Sequence, residues 1–263
     1  MNIDILLKEL SLTFKALHVP IILANQDIAA RYKRSKIGAF WITINIAVFI
    51  SVLSFVFGNL LNNRIEVFVP MLATALITWN FMSNILMESS RVFIDSKSMI
   101  LETNVPILSH IVRVFWRNLI ILMHNILILP FIYITFQIEI NFNVLQVIPA
   151  MLILILYLIG PAIILAIICL RFRDFANIFE NILQIGFYLT PIIWMFDSIN
   201  SITVKKIMYF NPFFYPITLM QNSFLSKSYD EFIYMNTSVI SIFLLALGLY
   251  IFSYNRKRLT LWL

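Results

Sequence analysis

Apolar residues gather along this chain into long runs separated by short polar clusters, and six of the runs approach the roughly 20 residues that span a bilayer core. They cover 37–61, 67–87, 118–136, 144–170, 175–196 and 235–254, and each predicts a transmembrane helix. The third run is preceded by Arg113, Trp116 and Arg117, which predict an amphipathic turn on the membrane surface. Pro191 predicts a kink or break in the fifth. Ahead of the first run, Ile3, Leu6, Leu7, Leu10, Phe14 and Leu17 recur at helical spacing, with Asp4, Lys8, Glu9, Ser11 and Lys15 filling much of the remainder. This predicts a helix lying in the membrane interface and ended by Pro20; a short soluble helix packed on a partner is the less favoured alternative. A second interfacial piece, IILANQDIAARYKRS, leads into the first run. The expected organisation is an all-α integral membrane protein with an N-terminal interfacial region, 1–36, and a six-helix transmembrane domain, 37–263.

Composition agrees. The 263 residues are 61% hydrophobic and 12% charged, against about 25% charged in soluble domains. Cys169 is the only cysteine, so no disulfide forms within the chain, and its apolar setting predicts a packing role. The start, MNIDILLKELSLTFKAL, mixes acids with apolar residues and lacks the order of a signal peptide, so it is expected to stay in the mature chain.

Charge sets the orientation, because Lys and Arg in short loops stay on the cytoplasmic side. Both termini and the clusters around Arg31, Arg91, Arg113, Arg171 and Arg256 are expected there, leaving Arg64, Lys205, Lys206 and Lys227 outside. That asymmetry favours an even number of spans and accounts for the net charge of +6 without nucleic acid. In RYKRSKIGAFW, Arg31, Lys33, Arg34 and Lys36 fix topology and lie where anionic headgroups sit.

The two long connections differ in kind. ESSRVFIDSKSMILETNVPILSHI mixes charges with apolar residues in a pattern suited to a short amphipathic helix before Pro106, able to dock on another protein. The external connection, 197–234, carries MYFNPFFYP, too apolar for a free loop and too broken by Pro212 and Pro216 to span. It is expected to be re-entrant or interfacial.

None of the 5 glycines opens a P-loop, so the chain is not expected to hydrolyse ATP. The 3 histidines lack the pairing of a zinc site, and no HExxH or Ser/His/Asp constellation is visible. Arg171, Arg173 and Asp174 form a tight turn before the fifth run, serving as topological anchors or in a specific role, with Asp174 placed to cap the next helix and to pair with a neighbouring Arg. Glu180, two turns further on, is costly facing lipid and is a candidate for lining a polar cavity or pairing with a cytoplasmic Arg, or else snorkels. Most of the aromatic residues belong to interfacial belts, while a minority are candidates for lining a path for sugars, whose C–H faces pack on flat rings.

The order of RYKRSKIGAFW, RFRDF, TPIIW and NPFFYPITLMQNSFL across the chain resembles the membrane subunit of type-2 ABC exporters, nearest to the bacterial O-antigen and polysaccharide export permeases. The resemblance implies a homodimer bound to two copies of a separate cytoplasmic ATPase, which alone uses ATP and Mg, and export of an undecaprenyl-pyrophosphate-linked polysaccharide across the inner membrane. It implies a coupling helix around Arg91, Phe93, Asp95, Lys97 and Leu101, a carrier headgroup near Arg31, Lys33, Arg34 and Lys36, and outer gate helices from Pro191 through Phe214. Candidate path residues are Phe55, Phe57, Trp79, Phe81, Tyr188, Trp194 and Glu180. The chain departs from many relatives in lacking a proline shortly after Trp41, which implies a straighter first helix. Rival readings are a permease for capsule polysaccharide, teichoic acid or a small drug or lipid, an integral membrane glycan or phospholipid transferase, and a membrane scaffold. A transferase predicts clustered acids at one membrane face for a divalent metal, and the 13 acids are dispersed.

Overall fold

The computed structural model describes residues 3–60, 64–196, 199 and 201–263. The expected end of the first span at residue 61 and the start of the external connection at 197 lie outside the described residues. The chain is all-helical. Among the described residues, twelve α-helices follow in order, with a short 3-10 helix, Phe142–Gln146, before the eighth: α1 Ile3–Lys15, α2 His18–Tyr32, α3 Phe40–Leu60, α4 Ile65–Asp95, α5 Lys97–Glu102, α6 Leu108–Ile126, α7 Ile128–Thr135, α8 Val147–Arg171, α9 Phe175–Leu189, α10 Ile202–Met208, α11 Phe214–Phe224 and α12 Glu231–Trp262.

Among the described residues, five helical segments are long and apolar enough to cross a membrane: Phe40–Gly58, Ile65–Asp95, Leu108–Thr135, Phe142–Arg171 and Glu231–Trp262. The expected fifth span is instead α9, whose 15 residues reach about 22 Å, short of a core about 30 Å thick. It stops because Thr190 turns extended and bonds back through its hydroxyl to Gly186 O at 2.7 Å, and Pro191 follows.

Two other boundaries differ from expectation. Pro20 does not end α1; it sits buried in the first turn of α2, where its missing N–H breaks no helical bond. The helix of the third run begins ten residues before it, at Leu108 rather than 118, and its Arg113 and Arg117 are paired with acids instead of being held in water.

At one end of the bundle α1 is fastened by Glu9, only 5% exposed, which takes Arg256 Nε at 2.9 Å and the Ile107 amide at 2.6 Å. The start of the chain and the end of α12 therefore share that end. The expected apolar stripe of α1 divides: Leu6 is buried with Glu9 and Thr13, while Leu7 and Phe14 stay exposed. At the opposite end α11 is buried against α4, α8 and α12. Its anchors include the Tyr133 hydroxyl donating to Phe224 O at 2.7 Å and Gln221 Nε2 donating to Met71 O at 3.2 Å. The bundle core packs α8 against α12 and α4, with Gly160 and Gly248 meeting backbone to backbone.

Candidate functional site

Three side-by-side openings run along α4, and its polar positions explain them. Asn80, Ser83, Asn84, Glu88, Arg91 and Asp95 recur at three- and four-residue intervals, so helical geometry lays them on one side of an otherwise apolar span. The α9 sequence does the same. Asn177, Glu180, Asn181, Gln184 and Tyr188 are all exposed on a helix whose Ala176, Leu183 and Gly186 are buried.

Trp79, Asn80, Ser83, Glu180, Gln184 and Tyr188 line one opening of about 340 Å³ between α4 and α9. Its walls are both amide and aromatic. Trp79, 9% exposed, is met edge-on by Phe187 and Phe213, with ring centroids at 5.7 and 5.1 Å. Asn211 places Phe213: its Oδ1 accepts the Phe213 amide at 2.9 Å while its Nδ2 donates to Thr190 Oγ1 at 3.0 Å. Gly186 makes room for the ring, since a Cβ there would lie 2.7 Å from Phe213. Gly186→Ala therefore displaces Phe213 at a cost of about 1–2 kcal/mol. Thermal unfolding of the purified protein should show a lowered midpoint that Gly186→Ala combined with Phe213→Leu recovers.

Of the candidate path residues, Trp79, Tyr188 and Glu180 come together at this opening. Trp194 lies beyond the end of α9 and donates Nε1 to Tyr188 O at 3.1 Å. Phe55 is exposed on α3, Phe57 packs partly buried against the core, and Phe81 is buried within it; none of these three lines the opening.

Glu180 also borders a second cavity of about 380 Å³, with Glu88, Arg91, Asp95, His110 and Arg117. An ion network missed from the sequence stands beside it. Asp27 of α2 takes both Nε of Arg113, at 2.8 Å, and NH2, at 2.5 Å, in a forked pair, and Arg117 NH1 at 2.6 Å. Arg117 continues to Glu88 of α4 at 2.7 Å, and Asn118 donates to the same Glu88 oxygen at 2.7 Å. Burial draws the Asp27 carboxyl upward, but the two guanidiniums outweigh it and leave it below its ordinary value. Two arginines one turn apart at the entrance to an apolar run were the available signal. Such charges need counterions, and the structure supplies Asp27 and Glu88 from two other helices.

The segment expected to be one coupling helix is two pieces. α4 runs unbroken to Asp95, so Arg91, Phe93 and Asp95 belong to its end, and Lys97 and Leu101 sit on the short α5. Phe93 and Ile100 are buried as anchors, leaving Arg91, Asp95, Lys97 and Leu101 (53% exposed) outward. At the turn before α9, Arg171 packs over the rings of Phe172 and Trp262, each at 5.2 Å, and Arg173 is exposed. Asp174 occupies the cap position without making the expected side-chain cap: its backbone is already helical, φ −67° and ψ −20°, and its carboxylate does not bond the first amides.

Arg31 ends α2 and borders a third opening, whereas Lys33, Arg34 and Lys36 are exposed in the turn that follows. That turn closes on Gly38, whose φ of 64° suits glycine and whose amide donates to Ser35 Oγ at 3.1 Å.

Known proteins are similar in sequence to this chain over most of its length. Residues 21–225 match the ABC-2 type transporter family. An O-antigen export system permease protein RfbA of Klebsiella pneumoniae is 25% identical over 244 residues, 90% of this chain and 92% of that protein. The Myxococcus xanthus protein of the same name is 22% identical over 191 residues, 72% of each chain. A multi-pass helical bundle with a polar groove along its second long helix, matched across residues 21–225, belongs to the ABC-2 type transporter family of membrane permeases.

Proposed function

We propose that this chain is the channel-forming half of an ABC exporter that carries an O-antigen-type polysaccharide, linked to undecaprenyl pyrophosphate, outward across the bacterial inner membrane. Two copies form the channel and bind two copies of a cytoplasmic ATPase subunit, which consumes ATP and Mg. Both termini lie in the cytoplasm, at the end that carries most of the cations.

One observation carries this reading: the row Asn177, Glu180, Asn181, Gln184 and Tyr188, exposed on α9 and only partly covered by α4 at the opening the two helices share. A carboxylate and amides do not face hydrocarbon when a partner or water is to be had. A second copy across that row encloses it as an aqueous path. The neighbouring α3 supports the same arrangement, since its apolar residues are mostly exposed in one protomer. Lining of this kind suits a glycan: amides and a carboxylate meet hydroxyls, and Trp79 and Tyr188 offer rings that hold a polymer by many weak contacts. α9 then serves as the sixth crossing together with the broken segment after it, and α10 and α11 form the outer gate.

ATP-driven closure of the ATPase pair acts on the end of α4 and on α5, and the two permease copies move as rigid bodies about their interface. Leu101→Asp places a charge in the centre of that contact and is expected to weaken ATPase binding by at least about tenfold. Co-purification with the ATPase and surface glycan should both fall while the permease itself purifies in normal yield. Unchanged co-purification would remove α5 from the contact.

A further inference from the structure

The opening bordered by Arg31 is an amide-lined pocket of about 380 Å³ between the end of α2 and the helices α3, α4 and α6. Asn45 comes from α3, Asn80 and Asn84 from α4, and Asn125 from α6. Asn125 is buried, Asn80 and Asn84 are half-buried and Asn45 is exposed at the edge; four carboxamides converging on one pocket of a bundle this apolar is costly unless they are used. Packing between helices is one such use, but among the described residues none of these side chains makes a hydrogen bond to another helix. The one bond between them, Asn84 Nδ2 to Asn80 Oδ1 at 3.5 Å, stays within α4. Asn125 is 3% exposed, and its Oδ1 is buried without a donor.

The chemistry selects the occupant. A carboxamide offers a donor and an acceptor, as a hydroxyl does, so a ring of amides matches a polyhydroxy group; a carboxylate would use only the donors, and an ammonium only the acceptors. An acyl chain would leave all four unpaired. Phe49 supplies an exposed ring on the same wall, a flat surface for sugar C–H groups. At the mouth, Arg31 presents a guanidinium suited to a phosphate. The volume lies within the range of about 300–1,000 Å³ usual for small-ligand sites.

We propose that this pocket seats the first sugar attached to a lipid phosphate, with Arg31 holding the phosphate at its mouth. The pocket reads the sugar, and the basic turn reads only charge. The assignment rests on the glycan-export reading above, and the tests separate the two.

The permease–ATPase complex in zwitterionic nanodiscs is titrated with three probes, with binding read by native mass spectrometry: undecaprenyl pyrophosphate bearing one N-acetylhexosamine, bare undecaprenyl pyrophosphate, and phosphatidylglycerol. The sugar-bearing carrier is expected to bind about tenfold more tightly than the bare one, the worth of one or two hydrogen bonds. Asn84→Leu with Asn125→Leu should abolish that preference and leave the ligand-free thermal midpoint unchanged, which a packing role would lower. Asn45→Leu, on an exposed position, gives a weaker form of the same result if the double variant does not assemble. Arg31→Gln should weaken both carriers equally. Equal affinity of the two carriers in the wild type, a preference retained in the leucine variants, or tighter binding of phosphatidylglycerol than of either carrier overturns the assignment. Loss of surface glycan on deleting the chain, together with equal carrier affinity, removes the pocket and leaves export standing. Intact surface glycan together with the sugar preference does the reverse.

Discussion

Gly160→Leu is expected to remove the folded protein from the membrane fraction. α8 and α12 cross at this residue so closely that a Cβ on Gly160 would lie 2.0 Å from Leu244 O and 2.3 Å from its carbonyl carbon. The facing Gly248 is constrained as well, with a Cβ there 2.7 Å from the Gly160 backbone. Overpacking an ordinary core costs about 1–3 kcal/mol because side chains give way. Here the obstacle is backbone, so the helices themselves must part, and the loss should be about 3 kcal/mol or more, a large share of the 5–15 kcal/mol that holds a typical protein folded. Close backbone approach is the main source of helix association in lipid, where burying apolar surface gains little. The check is detergent-soluble yield and the thermal midpoint. A Gly160→Leu protein purified in normal yield with a wild-type midpoint would show that this crossing is not what holds α12 to the bundle.

Asp27→Asn is expected to be the most damaging single change at the charged end. Asp27 joins α2 to both Arg113 and Arg117, which lie one turn apart on α6. Without its charge Arg117 keeps Glu88, but Arg113 loses both of its bonds to a carboxylate. Removing one member of such a partly buried network costs about 2–4 kcal/mol, much of it from the charge left unpaired. The pH dependence has a definite sign. The folded-state value of Asp27 is lowered from its ordinary 3.8, so its contribution is fully present above that value and is lost as pH falls through the lowered one. A thermal midpoint followed from pH 7 downward should therefore fall in the wild type below about pH 3.8 and start lower but drop less in Asp27→Asn. Parallel curves would mean that the network does not support the fold.

The long apolar runs of α3, α4, α8 and α12 were legible because hydrophobicity over about 20 residues is a strong signal that needs no partner. What depended on partners was not. Arg113 and Arg117 pushed the expected start of the third span past them, and only the structure supplies Asp27 and Glu88. Glu9 looked like part of a solvated face and proves to be the buried anchor of α1. Thr190 and Pro191 shortened α9 more than a kink would, since the side-chain bond that ends the helix is a local detail composition does not carry. For the site, Trp79, Glu180 and Tyr188 were individually visible and do meet at one opening. Asn45, Asn80, Asn84 and Asn125 were not singled out, because single amides spread over 80 residues form no motif until three helices bring them together.

On the export reading proposed above, the working surface of the permease is the open polar row of α9. The most direct test uses a strain deleted for this chain and complemented in turn with the wild type and with Glu180→Leu combined with Gln184→Leu. Surface glycan and inner-face carrier-linked glycan are measured together. Deletion should remove glycan from the surface and cause its carrier-linked form to accumulate inside, the wild type should restore export, and the double variant should assemble with the ATPase yet leave the glycan inside. Surface glycan that persists without the chain, or export by the double variant at the wild-type level, would contradict the account.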